Sequence, residues 1–207
     1  MTGRFITLEG GEGAGKSTQA KLLAAALTDR GLPVLQTREP GGAPGAEVLR
    51  GLLLDASVAW SVPAETLLHF AARAEHVERT IRPALNAGMW VVCDRFYDST
   101  MAYQGYGLGA DRDMIATLTT LVGVHPDLTI ILDVSEAVAV ERQLKRGMDA
   151  DRYERLDASF HRRVRQGFRE IAQAAPQRCV VISADESKQE VHTALLAALS
   201  RQLAVPG

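Results

Sequence analysis

The chain has 207 residues, 46% of them apolar, which suffices for one domain with a sizeable core and excludes a disordered or fibrous protein. Lys and Arg number 23 against 25 Asp and Glu, a net charge of −2, so no general attraction to a nucleic acid polymer or a membrane surface follows and any anion binding has to be local. Cys93 and Cys179 each border an apolar run and suit neither a disulfide framework nor a metal site, and no signal-peptide core or long apolar run is present, so the expectation is a soluble cytoplasmic protein with no membrane span.

In chain order, a first strand is predicted over Phe5 to Leu8. Directly after it, Gly10-Gly-Glu-Gly-Ala-Gly15-Lys16-Ser17 fits G-x-x-x-x-G-K-[ST] in full, and a helical pattern runs from Lys16 to Leu27. Glycines let such a loop fold its N–H groups around an anion, and the helix N-terminus adds a positive dipole end. Lys16 would reach the β- and γ-phosphates of a nucleoside triphosphate, and the Ser17 hydroxyl would ligate Mg²⁺, a hard cation that prefers oxygen. A second strand is predicted over Val34 to Leu35, a long helix over Ala64 to Ala87, and a third strand over Trp90 to Cys93. Ile115, Leu118 and Val122 have helical spacing ahead of a fourth strand, Leu128 to Leu132. Residues 141–155 are crowded with charge, and Lys145 to Asp151 reads as a mobile surface loop. Phe160, Val164, Phe168 and Ile171 predict a helix, Val180 to Ile182 a fifth strand, and Val191, Leu195 and Leu199 a last helix. Strands apolar on both faces alternating with helices predict an α/β, doubly wound, five-stranded parallel sheet flanked by helices, with ligands at the carboxyl ends of the strands.

A phosphate loop of this kind serves switches, motors and small-molecule kinases alike. The sole asparagine, Asn86, is followed by Ala87, so the Asn-Lys-x-Asp base-reading motif of a guanine-nucleotide switch is missing, and a motor needs more chain than this. A compact kinase fits, and it needs cations at strand tips to neutralise an acceptor phosphate. Arg38, in Thr37-Arg-Glu-Pro-Gly-Gly42, and Arg95, in Cys93-Asp-Arg-Phe96, stand at such tips, and the arginine fork grips phosphate in a bidentate manner. Asp94 shares that edge and would orient Mg²⁺ or its waters. A kinase for another nucleotide or a deoxynucleoside, and a slow nucleotide-hydrolysing switch, are the rival readings.

The chain resembles the bacterial thymidylate kinases throughout its length. The resemblance is carried by Glu9-Gly-Gly-Glu-Gly-Ala-Gly-Lys-Ser-Thr18, Thr37-Arg-Glu-Pro-Gly-Gly42, Phe70-Ala-Ala-Arg-Ala-Glu-His76, Asp94-Arg-Phe-Tyr-Asp-Ser99, Ala102-Tyr-Gln104, Pro126-Asp127 and Asp151-Arg-Tyr-Glu154. It implies phosphorylation of dTMP to dTDP with ATP and Mg²⁺, in a P-loop domain spanning residues 1–207 with a lid segment at about 142–153, and a homodimer. By the same resemblance Gly10, Gly11, Glu12, Gly13, Ala14, Gly15, Lys16, Ser17 and Thr18 hold ATP. Phe70 would stack on thymine, Arg73 and Gln104 would hydrogen-bond its edge, Arg38 and Arg95 would hold the dTMP phosphate with Ser99 nearby, and Glu12 would sit near the 3′-hydroxyl. Tyr103 would pack beside the sugar. The phosphate loop contains no arginine, which resembles the type whose lid supplies the transition-state cation: Arg146 first, then Arg142 and Arg152. The catalytic set is then Lys16, Arg95, Arg146, Glu12 and Asp94, with Ser17 and Asp94 at the metal.

Overall fold

The computed structural model describes residues 3–146, 153 and 156–203. Strands β1 (Phe5–Gly10), β2 (Val34–Arg38), β3 (Trp90–Asp94), β4 (Leu128–Asp133) and β5 (Cys179–Ser183) form one parallel sheet in the order β2-β3-β1-β4-β5. All five predicted strands are present, and the doubly wound α/β architecture stands. Each runs past its predicted carboxyl end into polar residues, among them Glu9, Arg38, Asp94 and Asp133. The apolar pattern stops there, while the hydrogen-bond ladder continues.

The helices are α1 (Lys16–Thr28), α2 (Pro44–Leu54), α3 (Val62–His76), α4 (Arg82–Asn86), α5 (Tyr97–Thr100), α6 (Arg112–Val122), α7 (Glu136–Arg146), α8 (Ala158–Ala174) and α9 (Lys188–Gln202). On one face of the sheet Ile6, Leu8, Ile130 and Leu132 pack against Leu23 and Leu27 of α1 and Leu195 and Leu199 of α9. On the other face Phe5, Val91 and Cys93 meet Val77, Ile81 and Phe96, and Ile131 meets Phe160, Val164 and Phe168 of α8. Each fully buried aliphatic side chain contributes roughly 1.5–3 kcal/mol, so both layers are needed to hold the sheet. No helix among the described residues is long and apolar enough to cross a membrane.

The long helix expected over Ala64 to Ala87 starts at Val62, where Ser61 accepts the Ala64 N–H, and runs to Asn86. It is not uniform: Val77–Ile81 is a π-helical turn. Pro83 explains it, since proline has no N–H to donate and its ring crowds the carbonyl four residues back, which a wider turn relieves. A second π-helical turn, Met101–Gly107, extends α5 and carries Tyr103 and Gln104. Gly107 lets this turn lie against α8: a Cβ there would stand 2.5 Å from Phe160 Cε2.

Candidate active site

The chain crosses over β1 on its way from β3 to β4, so the crevice outside the carboxyl ends of these strands is the switch point of the sheet. Register places Asp94 directly opposite both Leu8 and Arg38. The loop from Gly10 to Gly15 leaves β1 there and ends at Gly15, which caps α1 in the left-handed region (φ 86°) without a side-chain cap bond. The first N–H groups of α1 therefore remain available to an anion. Gly13 (φ 73°) allows the loop to pass α7, where a Cβ would come within 2.8 Å of the Ala139 carbonyl.

A cavity of about 430 Å³ opens over this edge. It gathers the loop (Glu12, Gly13, Gly15, Lys16, Ser17, Thr18), Arg38 from β2, Arg73 from α3, Asp94 and Arg95 from the end of β3, and Ser99, Tyr103 and Gln104 from the turn after it. Lys16 Nζ donates to the Gly11 carbonyl at 2.7 Å, and burial together with the nearby Arg95 guanidinium pushes its ammonium down to about 8, against the pull of Glu12, Asp94 and Glu9. Ser17 Oγ donates to Asp94 Oδ2 at 2.5 Å, and Asp94 Oδ1 is buried with no hydrogen-bond partner among the described residues.

Arg95 is the centre of the arrangement. Its backbone is left-handed (φ 71°), which costs an L-residue roughly 1–2 kcal/mol. Two bonds hold it there: Arg95 N–H donates to the Leu8 carbonyl at 2.9 Å, and Phe96 N–H donates to Glu9 Oε1 at 2.7 Å. The guanidinium donates to the Gly10 carbonyl, Ser99 Oγ, Tyr103 Oη and Glu12 Oε1, and stands 4.8 Å above the Tyr103 ring. Although burial opposes it, Glu12 holds this guanidinium firmly in its charged form. Arg38 is more exposed and is aimed by Glu47, whose carboxylate also accepts the Gly42 N–H.

Arg73 is buried and pinned. Nε donates to Glu39 Oε2 at 2.7 Å, Nη2 donates to Thr100 Oγ1 at 3.1 Å, and Nη1 is buried with no partner among the described residues. His76 Nδ1 lies 3.0 Å from the other Glu39 oxygen, and Thr37 Oγ1 lies 2.7 Å from His76 Nε2. A guanidinium clamped at both other nitrogens and left open at one presents a single fixed donor.

A family model described as thymidylate kinase matches residues 8–195. A thymidylate kinase of Rhizorhabdus wittichii is 54% identical over 97% of this chain and 98% of its own length, and one of Gluconobacter oxydans is 51% identical over 99% and 98%. The crystal structure of a thymidylate kinase from Ehrlichia chaffeensis superposes with a TM-score of 0.81 at 39% identity, covering 97% of this chain and 99% of that one. The chain belongs to the thymidylate kinase family.

For a member of the thymidylate kinase family, five of the expected site residues stand apart from the cavity lining. Phe70 is buried, with its ring 4.7 Å from Arg73 Cζ, beneath the guanidinium rather than on the cavity wall. Arg142 donates to the carbonyls of Gly13 and Glu186, bridging the phosphate loop to the segment before α9. Gly10, Gly11 and Ala14 shape the loop without lining the cavity. The Arg146 side chain, Arg152 and most of the expected lid lie outside the described residues.

Sequence reasoning did not assign site roles to Glu39, Arg50, Glu65, His69, Thr100 or Tyr153, which line the cavity or hold residues that do. One signal was available: Glu65, His69, Arg73 and His76 recur at helical spacing on the buried side of α3, where titratable side chains need partners.

Mg²⁺ fits this kinase cleft in a specific way. Among the described residues no three carboxylate, histidine or cysteine side chains gather around a point, so a protein cage is lacking. The Ser17 hydroxyl and the unpartnered Asp94 Oδ1 are hard oxygen donors, suited to a cation that takes the rest of its shell from phosphates and water.

Glu9 gives the edge a pH dependence. Burial, then the neighbouring Asp98, push its carboxyl up to about 8 from an ordinary 4.5. Between those values the folded chain holds a proton that the unfolded chain releases, so this stabilisation is complete below about 4.5 and lost as pH rises through about 8. Glu9→Gln is therefore expected to lose less stability than the parent between about pH 5 and about pH 9 in urea unfolding; parallel stability profiles would contradict it.

Proposed function

We infer that this chain transfers the γ-phosphoryl group of ATP to dTMP, giving dTDP and ADP, with Mg²⁺ as the metal. Family membership carries the reaction. The observation that carries its location is the single cleft in which Lys16 and Ser17 at the head of α1 face Arg38, Arg73 and Arg95. Lys16 and the α1 N-terminus hold the β- and γ-phosphates, and Thr18 and the loop glycines complete the ATP cradle. Arg95 and Arg38 hold the acceptor phosphate, with Ser99 beside it; Arg73 and Gln104 take the base edge, Phe70 backs the Arg73 guanidinium from beneath, Tyr103 packs against the sugar, and Glu12 faces the 3′-hydroxyl. Mg²⁺, held by Ser17 and Asp94, neutralises phosphate charge when bound. No covalent intermediate is needed, so positioning and electrostatics supply the acceleration. An ADP-release assay with dTMP, dUMP, dCMP and thymidine tests this. ADP should appear fastest with dTMP, and release equally fast without any acceptor would overturn the reading in favour of a hydrolysing switch.

Residues 1–207 are read as one kinase domain whose lid, about 142–153, brings Arg146 to the transferred group, while Arg142 takes the donor side. Helix α7 supports this by passing the phosphate loop at Gly13 and carrying Arg146 in the same helix. Arg146→Ala is expected to lower kcat by about 10²-fold or more with both KM values within a few-fold, because the contact forms only on closure. An effect confined to KM would remove Arg146 from the catalytic set. Likeness to the bacterial thymidylate kinases supports a cytoplasmic setting. Exposed Val48, Leu52 and Leu67 on α2 and α3 support pairing of two copies, which a single-chain mass in light scattering would refute.

A further inference from the structure

Gln104 is 1% exposed and stands at the wall of the cavity beside Arg73. A glutamine side chain carries a donor end and an acceptor end of nearly the same shape, so the base it accepts depends on which end faces the pocket. Its surroundings decide that. Gln104 Nε2 donates to Glu65 Oε1 at 2.9 Å and to Tyr153 Oη at 3.2 Å. Tyr153 Oη itself donates to Glu65 Oε1 at 2.8 Å, which commits the only phenolic proton. His69 Nε2, 3.0 Å from the same phenol oxygen, is then a donor as well. Among the described residues these hydrogen bonds run toward Glu65, a buried carboxylate that only accepts when ionised. Turning Gln104 over would set its carbonyl oxygen against the Glu65 carboxylate and against a phenol oxygen with no proton left to give. The nitrogen end is thus held inward, and the oxygen end is the one left for the pocket.

We propose that Glu65 is a specificity-determining positioning residue: by fixing the polarity of the Gln104 amide, it turns an acceptor toward the base while Arg73 turns a donor. An acceptor at Gln104 Oε1 next to a donor at Arg73 Nη1 matches the N3–H and C4=O of thymine or uracil. It opposes cytosine at both positions, since cytosine presents an acceptor at N3 and an amino group at C4. The two ends are built independently, because Arg73 is held by Glu39 and Thr100, with His76 on the other Glu39 oxygen, while Gln104 is held by Glu65 and Tyr153. Glu65 touches no reacting atom; it acts through Gln104. The inference rests on the placement of dTMP in this cleft given above.

The test is Glu65→Gln, whose own amide can accept or donate and so lets Gln104 face either way. The ratio of kcat/KM for dTMP over dCMP should fall by about tenfold or more, mostly through KM for dTMP, because a base-edge bond contributes equally to substrate and transition state. A variant that keeps the parent ratio would overturn the proposal; so would equal losses with dTMP and dCMP, the mark of a merely structural role. A second measurement needs no folded variant at position 65. In the parent protein, the Gln104 side-chain NH₂ signal, identified by its loss in Gln104→Ala, should be protected from solvent exchange before dTMP is added. An NH₂ that becomes protected only with dTMP would place the nitrogen toward the base and refute the idea. Failure of the parent to phosphorylate dTMP at all would take the functional reading and this inference down together, whereas an unchanged ratio in an active parent background removes Glu65 alone.

Discussion

Lys16→Ala is expected to lower kcat by at least about 10³-fold while dTMP binding, followed by calorimetry, stays within a few-fold of the parent. The ammonium sits at the head of α1, where on the proposed reading it would meet charge that accumulates on the β- and γ-phosphate oxygens during transfer. Its burial is what makes it effective: a cation already stripped of water interacts strongly with phosphate and needs no reorganisation when the reaction begins. The same burial, with the Arg95 charge nearby, holds its ammonium down to about 8 in the free protein, so ATP capture should weaken as pH rises through that value and the positive charge is lost. Loss of dTMP affinity in Lys16→Ala, or a kcat near that of the parent, would contradict the assignment.

Arg95→Met lowers kcat/KM for dTMP by about 10³-fold or more and also destabilises the fold by about 3–5 kcal/mol. The stability loss arises because Glu12 would remain in the cleft without its cation, and because Ser99, Tyr103 and the Gly10 carbonyl lose a common donor. Methionine keeps an unbranched apolar stem in place of the arginine stem, so the main loss is that of charge and hydrogen bonding. Urea unfolding gives the stability loss and steady-state kinetics the fall in kcat/KM. A destabilised variant with an unaltered KM for dTMP would mean that Arg95 serves the fold and not the acceptor phosphate.

These two residues differ in how visible they are before the chain is folded. Lys16 belongs to a contiguous pattern whose function depends on local geometry: glycines that permit left-handed turns, a helix beginning at once, and a cation beside its N-terminus. Arg95 could be placed at a strand tip from the apolar run before it. Its left-handed backbone, and the clasp of Glu9 on the next N–H, depend on β1 lying beside β3 and have no local signature. Phe70 shows the reverse limit, since helical spacing correctly set it beside Arg73 but could not tell that its ring supports the guanidinium from beneath.

From its sequence alone the chain disclosed five parallel strands, the phosphate loop, the arginines at strand tips and the family whose motifs it carries, because each rests on periodicity or on residues adjacent in the chain. Only the folded structure decided the two π-helical turns, the clamp of Glu39 and His76 on Arg73, and the set of Glu65 and Tyr153 around Gln104. The two side-chain clusters are meetings of residues 34 to 88 positions apart, in which each buried polar group must find the partner that the sheet order brings to it.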